Sequence, residues 1–418
     1  MDLNVADNAR RVNNVPSDAL AATATLNGRA VVCLASLAWD SHWVTPQQTC
    51  FRLAGNTTVI YVDPLRSPLW RLRALPTHSR QPASFALQPI APNLWRLTLP
   101  AIFLPMAIYK RIGWCRALNN WAITKFVSRA IRGLGIANFV VWVYQITFEG
   151  APLLRRSDLI VYDCIDDWAG GATSPGERKF FARLDQSLCA TADVVFFGSN
   201  ALARARRPLA RTSALVPQGV DLEHFLREGR DKLSAPADLA SLARPRIGLV
   251  GVLNKERIDI ALLCEMARRH PEWSLALIGP VWPGLDTELL AKFSNIHLLG
   301  NKTKEQLGDY MAALDVCILP YLINDFTRAI FPLKLFEYLA SGNPFVSTAI
   351  PACSEYPELI HVAASHEAFM VAVERSLLET DSVARERRVA AARANDWAVR
   401  VASKVSVVSQ ALASRQSR

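Results

Sequence analysis

Lys334 and Glu337 stand three residues apart in the run PLKLFEYLASG, residues 332–342. On a helix that spacing puts both side chains on one face, one turn apart. An ammonium so placed can meet a phosphate, and the carboxylate can accept hydrogen bonds from a sugar diol. Pro332 suits the first turn of the helix, where a missing N–H costs nothing, and Gly342 with Pro344 behind it ends the helix. On either side, Val316–Pro320 and Pro344–Ile350 read as buried parallel strands, and an eleven-residue polar and aromatic loop, 321–331, joins the first to the helix. First-turn amides in such a unit point over the carboxyl end of the sheet, where open α/β folds bind ligands and an anion is favoured. The plain alternative is an ordinary exposed ion pair on an amphipathic helix.

Two further groups could do chemistry. A predicted strand over Asp158–Ile165 ends in the acidic cluster Asp163, Asp166 and Asp167, within YDCIDDWAGG. Asp166 or Asp167 would be either a contact or base for an acceptor hydroxyl, or a helix cap and turn former. In IGLVGVLNKERIDIALL, a strand and loop feed a helix from about Arg257. Gly251 allows close backbone approach there, and Lys255 or Arg257 can reach a phosphate. Lysine, arginine and helix amides can neutralise a diphosphate, so the paired aspartates need no cation. The eight cysteines are never closer than seventeen residues apart, which excludes a Cys/His zinc cluster and fits buried thiols in a reducing compartment. No metal and no cofactor is expected. No G-x-G-x-x-G follows the first strand, and GLGIAN at 133–138 precedes a strand and lacks the third glycine, which argues against a dinucleotide fold.

The elements that position these groups alternate strand, helix and strand. Strands are expected at 30–36, 58–62, 138–148, 158–165 and 194–197, with a helix over 177–191, and again at 273–279 and 296–299 with a helix over 305–314. The 418 residues, 51% of them apolar, suffice for two α/β domains. Residues 1–27 read as a mobile leader without the apolar segment of a secretory signal, and the longest apolar runs are too short to span a bilayer. A cytoplasmic protein is expected.

Between Pro64 and Phe148 there is no Asp or Glu, against eleven basic residues, which accounts for the net charge of +10. These are Arg66, Arg71, Arg73, Arg80, Arg96, Lys110, Arg111, Arg116, Lys125, Arg129 and Arg132, interleaved with Trp70, Trp95, Trp114, Trp121 and Trp142. Residues 104–135 can be drawn as an amphipathic helix with Trp, Phe and Ile opposite Arg and Lys, the composition of a segment lying on an anionic membrane surface. A solvated basic face with tryptophans in the core is the alternative. No nucleic-acid motif accompanies the charge, so nucleic acid is not an expected partner.

The run PLKLFEYLASGNPFV resembles the donor-binding segment of GT-B glycosyltransferases of the group 1, family-four-like branch, whose signature is two glutamates eight positions apart before a small-residue helix end and a strand. Glu337 matches the second glutamate, which implies a contact to the ribose hydroxyls of a nucleotide, with the amides of Leu333 and Lys334 against the diphosphate. Ala329 occupies the first-glutamate position, so the contact to the transferred sugar would fall to another group such as Asp325 or Arg328. YDCIDDWAGG resembles a segment on the acceptor side of the same branch. LAWDSHWVTPQQ, with Trp39 and Asp40, falls where other GT-B enzymes place an acceptor-facing loop.

The resemblance covers roughly residues 140–400, most specifically 316–350, and is to glycosyltransferases similar to those of teichuronic acid and exopolysaccharide biosynthesis. It implies two doubly wound Rossmann-like domains facing a central cleft: 28–220 with about 395–418 on the acceptor side, a linker 221–243, and a donor-binding domain 244–394. It implies transfer of a hexosyl group from a nucleoside-diphosphate-sugar, as co-substrate, to a glycan or lipid-linked acceptor; the available lysines and arginines lead us to expect a metal-independent reaction, and the acid-free basic stretch a peripheral place on the inner face of the cell membrane. A nucleotide-sugar epimerase of similar fold and a non-catalytic scaffold subunit are the alternatives.

Overall fold

The computed structural model describes residues 26–41, 43–65, 85–103, 113–226 and 235–416, and it divides into two units. The first comprises the chain up to Pro217 together with Ala398 onward. Its strands are β1 (Ala30–Leu34), β2 (Val59–Val62), β3 (Ala86–Ala91), β4 (Leu94–Thr98), β5 (Phe139–Val143), β6 (Leu159–Cys164), β7 (Val194–Phe197) and β8 (Ser213–Leu215), in the spatial order β3-β4-β2-β1-β5-β6-β7-β8. AVVCL and FVVWV are buried along their whole length. Apolar runs buried on both faces belong in a parallel sheet with helices on either side, and Val31 indeed lies opposite both Val59 and Val140 in parallel register. The expected strand over 138–148 stops at Val143, and Ile146–Phe148 form a 3₁₀ turn.

The acid-free stretch holds more than the helix expected over 104–135. It holds the β3–β4 hairpin, whose turn residue Asn93 has φ of 60°, a conformation asparagine tolerates, and then helix α2 (Gly113–Gly133) after α1 (Thr45–Leu53). The sides of α2 also differ from expectation. Its buried side mixes Ile123, Val127 and Ile131 with Asn119, Asn120, Thr124 and Ser128. These polar groups hold the segment after β5: Asn120 donates to the Glu149 carbonyl at 2.7 Å, Leu153 N–H donates to the Thr124 hydroxyl at 3.2 Å, and Arg156 donates to Ser128 at 2.9 Å. Trp114, Leu118 and Trp121 therefore face solvent, on the same side as Lys125, Arg129 and Arg132. Arg66, Arg71, Arg73, Arg80, Lys110, Arg111 and Trp70 lie outside the described residues, as does the expected leader except for Leu26 and Asn27, and Leu26 is part of the first core.

The second unit, Gln218–Trp397, carries β9 (Arg246–Val250), β10 (Ser274–Ile278), β11 (Ile296–Gly300), β12 (Val316–Leu319), β13 (Phe345–Thr348) and β14 (His361–Ala363), all parallel, in the order β11-β10-β9-β12-β13-β14. After α3 (Pro175–Thr191) and α4 (Asn200–Arg206) of the first unit, the principal helices are α5 (Ile260–Arg269), α6 (Lys304–Ala312), α7 (Asp325–Ala329), α8 (Lys334–Ser341), α9 (His366–Leu377), α10 (Ser382–Arg393) and α11 (Trp397–Gln416). The described part of the expected linker 221–243 is built into this unit: Phe225 and Leu239 are buried in its core, and Asp238 pairs with Lys302 at 2.6 Å. The expected loop 321–331 contains α7, because Asn324 caps it, accepting from Thr327 N–H at 2.9 Å.

Candidate functional site

In the second unit the strand ends close on one another through backbone alone. Gly251 after β9 and Gly279 after β10 have φ of 146° and 144°, and a Cβ on Gly279 would lie 1.9 Å from the Gly251 carbonyl oxygen. Only glycine fits there. Helix α8 is pinned to the same place by Tyr338, whose hydroxyl accepts from Val250 N–H at 2.8 Å, while Leu335, Phe336 and Leu339 are buried in the core. Burial pushes the Tyr338 hydroxyl well above its usual pKa, so it remains a neutral hydrogen-bonding post. The C-terminal end of α8 is closed by Gly342 with φ of 73°.

These constraints deliver the first turn of α8 to the glycines. Lys334 Cε lies 3.3 Å from where a Cβ of Gly251 would stand, and Lys334 Nζ donates to Glu337 Oε2 at 2.5 Å. Both side chains keep part of their surface in water, 17% and 12%. The half-buried Leu333 supplies the preceding amide, and Gln218 holds the approach by donating to the Phe331 carbonyl at 3.1 Å. The spacing therefore does place an ammonium and a carboxylate on one helical face, but the two bond one another.

The basic loop after β9 is clipped to the α7 segment. Leu322 N–H donates to the Arg257 carbonyl at 2.7 Å, Asn324 donates to the Glu256 carbonyl at 2.8 Å, and the Arg257 guanidinium lies 4.9 Å from the Phe326 ring centre. Asp325 and Arg328 are exposed on α7, whereas Ala329 is buried and offers no polar group. Lys255 is exposed and lies against Gly284. Gly251, Lys255, Arg257, Asp325, Arg328, Leu333, Lys334 and Glu337 thus belong to one unit. Gly279, Gly284, Tyr338 and Gln218 join them without having been singled out from sequence, although GPVWPG at 279–284 carries a turn signature.

In the first unit the acidic residues are largely held by cations of the same unit. Asp163 is fully covered and accepts from Lys404 Nζ of α11 at 2.5 Å and from Trp142 Nε1 at 3.2 Å. Arg206 of α4 donates to Asp167 at 2.8 Å and to Asp185, whose carboxylate also accepts from Tyr162. Burial opposes the charge on Arg206, but Asp185 and its neighbours outweigh it and raise the guanidinium pKa further. Asp166 and Asp167 are half-buried, and Asp167 lies beside Gly170. Trp39 is a core ring, edge-on to Trp43 and Tyr61 at 5.0 Å each, so it presents no face to a ligand. Asp40 is exposed and paired with Arg96 at 3.1 Å, which also holds the buried Asp63. Among the described residues, Asp221, Glu223 and His224 bring ligand atoms within 4.8 Å, but Asp221 is already neutralised by Lys304 at 2.5 Å.

Residues 244–379, which hold every element of this second-unit arrangement except Gln218, match the family described as Glycosyl transferases group 1. They form a group 1 glycosyl transferase domain. The chain is also similar to TuaH of Bacillus subtilis, assigned to teichuronic acid biosynthesis as a glycosyltransferase, at 29% identity over 277 residues, 60% of this chain and 68% of that one. Its fold matches a sucrose-phosphate synthase from Thermosynechococcus elongatus with a TM-score of 0.68 at 16% identity, over 93% of this chain and all of the other (100%). A trehalose-6-phosphate structure from E. coli bound with UDP-2-fluoro glucose matches with a TM-score of 0.64 at 12% identity, covering 92% and 99% of the two chains. The two parallel-sheet units have the GT-B fold of these neighbours, and the matched domain is that of a glycosyltransferase.

Proposed function

We propose that the second unit binds a nucleoside-diphosphate-sugar and that the enzyme moves its hexosyl group to a glycan or lipid-linked acceptor in cell-surface polysaccharide biosynthesis. The observation that carries this reading is the seat made by Gly251, Gly279 and the first turn of α8, where a backbone free of Cβ atoms meets an ammonium and a carboxylate. Donor binding exchanges the Lys334–Glu337 bond for Lys334 to phosphate and Glu337 to the ribose diol. As the glycosidic bond breaks, charge grows on the diphosphate, and preplaced Lys334, the amides of Leu333 and Lys334, and Lys255, Arg257 or Arg328 stabilise it more than they stabilise intact donor. Asp325 or Arg328 holds the transferred sugar in place of a carboxylate at Ala329. Asp166, Asp167 and Asp40 of the first unit are assigned to the acceptor. The biosynthetic setting is supported by the likeness to TuaH.

A thermal-shift panel of nucleoside diphosphates tests the donor reading. A ligand at one hundred times its dissociation constant stabilises by about 2.7 kcal/mol. A panel in which none raises the melting temperature removes the reading. No cation or further cofactor enters the mechanism, so turnover should survive EDTA; complete loss restored by added metal would make Asp166 and Asp167 ligands instead.

Peripheral attachment to an anionic membrane is part of the same proposal. No helix among the described residues is long and apolar enough to cross a membrane. On α2, however, Trp114 and Trp121 are 68% and 55% exposed on the side that carries Lys125, Arg129 and Arg132. Indoles settle in the headgroup region and each basic residue near the surface adds about 1 kcal/mol, screened by salt. Trp121→Ala with Lys125→Glu should release the protein from phosphatidylserine vesicles at low salt. Equal sedimentation of this variant and wild type with such vesicles would refute the attachment.

A further inference from the structure

Trp282 stands in the turn Gly279–Gly284, with half of its surface, 50%, in water. A single exposed tryptophan needs no explanation by itself. This one is mounted on a rigid frame. Leu253 N–H donates to the Pro280 carbonyl and Trp282 N–H to the Leu253 carbonyl, both at 2.9 Å, so the turn is a continuation of the β9 and β10 ends. Gly279 N–H donates to the Gly300 carbonyl at 2.9 Å and ties the turn to the end of β11 as well. Pro280 and Pro283 flank the indole and restrict its backbone. Gly284, with φ of 91°, closes the turn under the aliphatic stem of Lys255, whose Cδ and Nζ lie 3.2 Å from the position of a Cβ. Among the described residues no other ring lies against the indole.

The frame also fixes the backbone that carries the indole. Its own amide is bonded to Leu253, which is two residues, and so at most about 8 Å, from Gly251. A Cβ on Gly251 would in turn stand 3.3 Å from Lys334 Cε. A nucleotide whose diphosphate lies on the first turn of α8, and whose ribose meets Glu337, then has its base within reach of the indole over the β10 end.

We propose that Trp282 is the stacking platform for the base of the donor nucleotide. Resting on the reading of the second unit as the donor site, this adds the chemistry that holds the base: a π-face, open to any base, in place of hydrogen bonds to a base edge. Lys255, beside the same turn, serves the phosphate side.

The test is calorimetric titration of the full chain with uridine, guanosine and adenosine diphosphates, and with inorganic pyrophosphate as a ligand without a base. Trp282→Ala should weaken every nucleoside diphosphate that wild type binds by roughly five- to 150-fold, the range of one base–aromatic stack. Trp282→Phe should recover most of that loss, and pyrophosphate affinity should be the same in all three proteins. Wild type that binds nucleoside diphosphates with a Trp282→Ala variant that binds them equally well overturns the platform and leaves the donor reading standing. An equal loss of pyrophosphate in Trp282→Ala overturns it too, since the residue would then act by supporting the turn. Wild type that binds no nucleoside diphosphate removes the donor reading and the platform together.

Discussion

Both units place charge at the carboxyl end of a parallel strand, and they treat it in opposite ways. In the first, Asp163 is fully covered, and its counter-charge Lys404, 1% exposed, comes from a helix 241 residues further along the chain. In the second, Lys334 and Glu337 are three residues apart on one helix and remain partly wet. A covered pair must be complete, because removing one partner strands the other in a medium that cannot solvate it. A local pair on one helix that keeps some contact with water can be traded for other partners without stranding a charge away from solvent. The difference separates charge that holds a fold from charge available to a ligand.

The sharpest way to break this contrast is Lys404→Met. It should cost about 3–5 kcal/mol in denaturant unfolding, and changing Asp163 to Leu as well should recover much of that. A single variant with wild-type stability would mean the covered pair is not structural. The next effect is kinetic. Lys334→Ala should leave the melting temperature nearly unchanged but lower kcat, and a charged hydrogen bond of about 1.5–3 kcal/mol corresponds to roughly a ten- to 150-fold loss. Glu337→Gln should instead raise the donor KM with a smaller change in kcat, since the ribose is held in ground and transition states alike. Initial rates against donor concentration would expose an error: unchanged kinetics in both folded variants leave α8 as a plain amphipathic surface.

The smallest effect concerns His366, which bonds Asp259 at 2.9 Å and Glu265 at 3.0 Å at the start of α9. Burial works against its protonation, but the bonds to Asp259 and Glu265 outweigh this and raise its pKa above the ordinary 6.5. A raised pKa in the folded state gives stability that is full below that ordinary value and is lost as pH rises through the folded one. Wild type should therefore lose more melting temperature than His366→Gln between about pH 6 and about pH 8. The difference will be modest because the imidazole is 36% exposed. Parallel curves for the two proteins would remove His366 as the source.

What sequence conveyed well was local. Buried runs such as FVVWV and VCIL declare parallel strands, and Pro332 with Gly342 brackets α8, because burial on two faces and helix ends leave marks within a few residues. The basic and acidic residues of the second unit were legible for the same reason, being carried on a strand end and the helix start that follows. Pairings across the fold left no such mark. Arg206 lies 39 residues from Asp167, so nothing near Asp167 in the sequence announces the bond between them. Trp39 looked like a loop aromatic, and only the edge-on packing with Tyr61 shows it to be core. On α2 the polar residues turned inward because they carry the hydrogen bonds of the segment beyond β5, a demand absent from the helix's own periodicity.

Helix α11 sets a timetable for the newborn chain. Asp163 emerges long before Lys404, which lies 241 positions further along, and at about 5–20 residues per second the gap is roughly 12–50 s. Through that interval the first sheet lacks the cation that makes burial of Asp163 tolerable, and Arg415 has not yet reached Asp193 or the Asp158 carbonyl. The second unit, whose residues lie wholly inside this interval, can complete its own sheet first. The unit whose strands leave the ribosome earlier is thus the one that finishes folding later, and ribosome stalling within α11 should yield chains with an ordered second unit and a protease-sensitive first one.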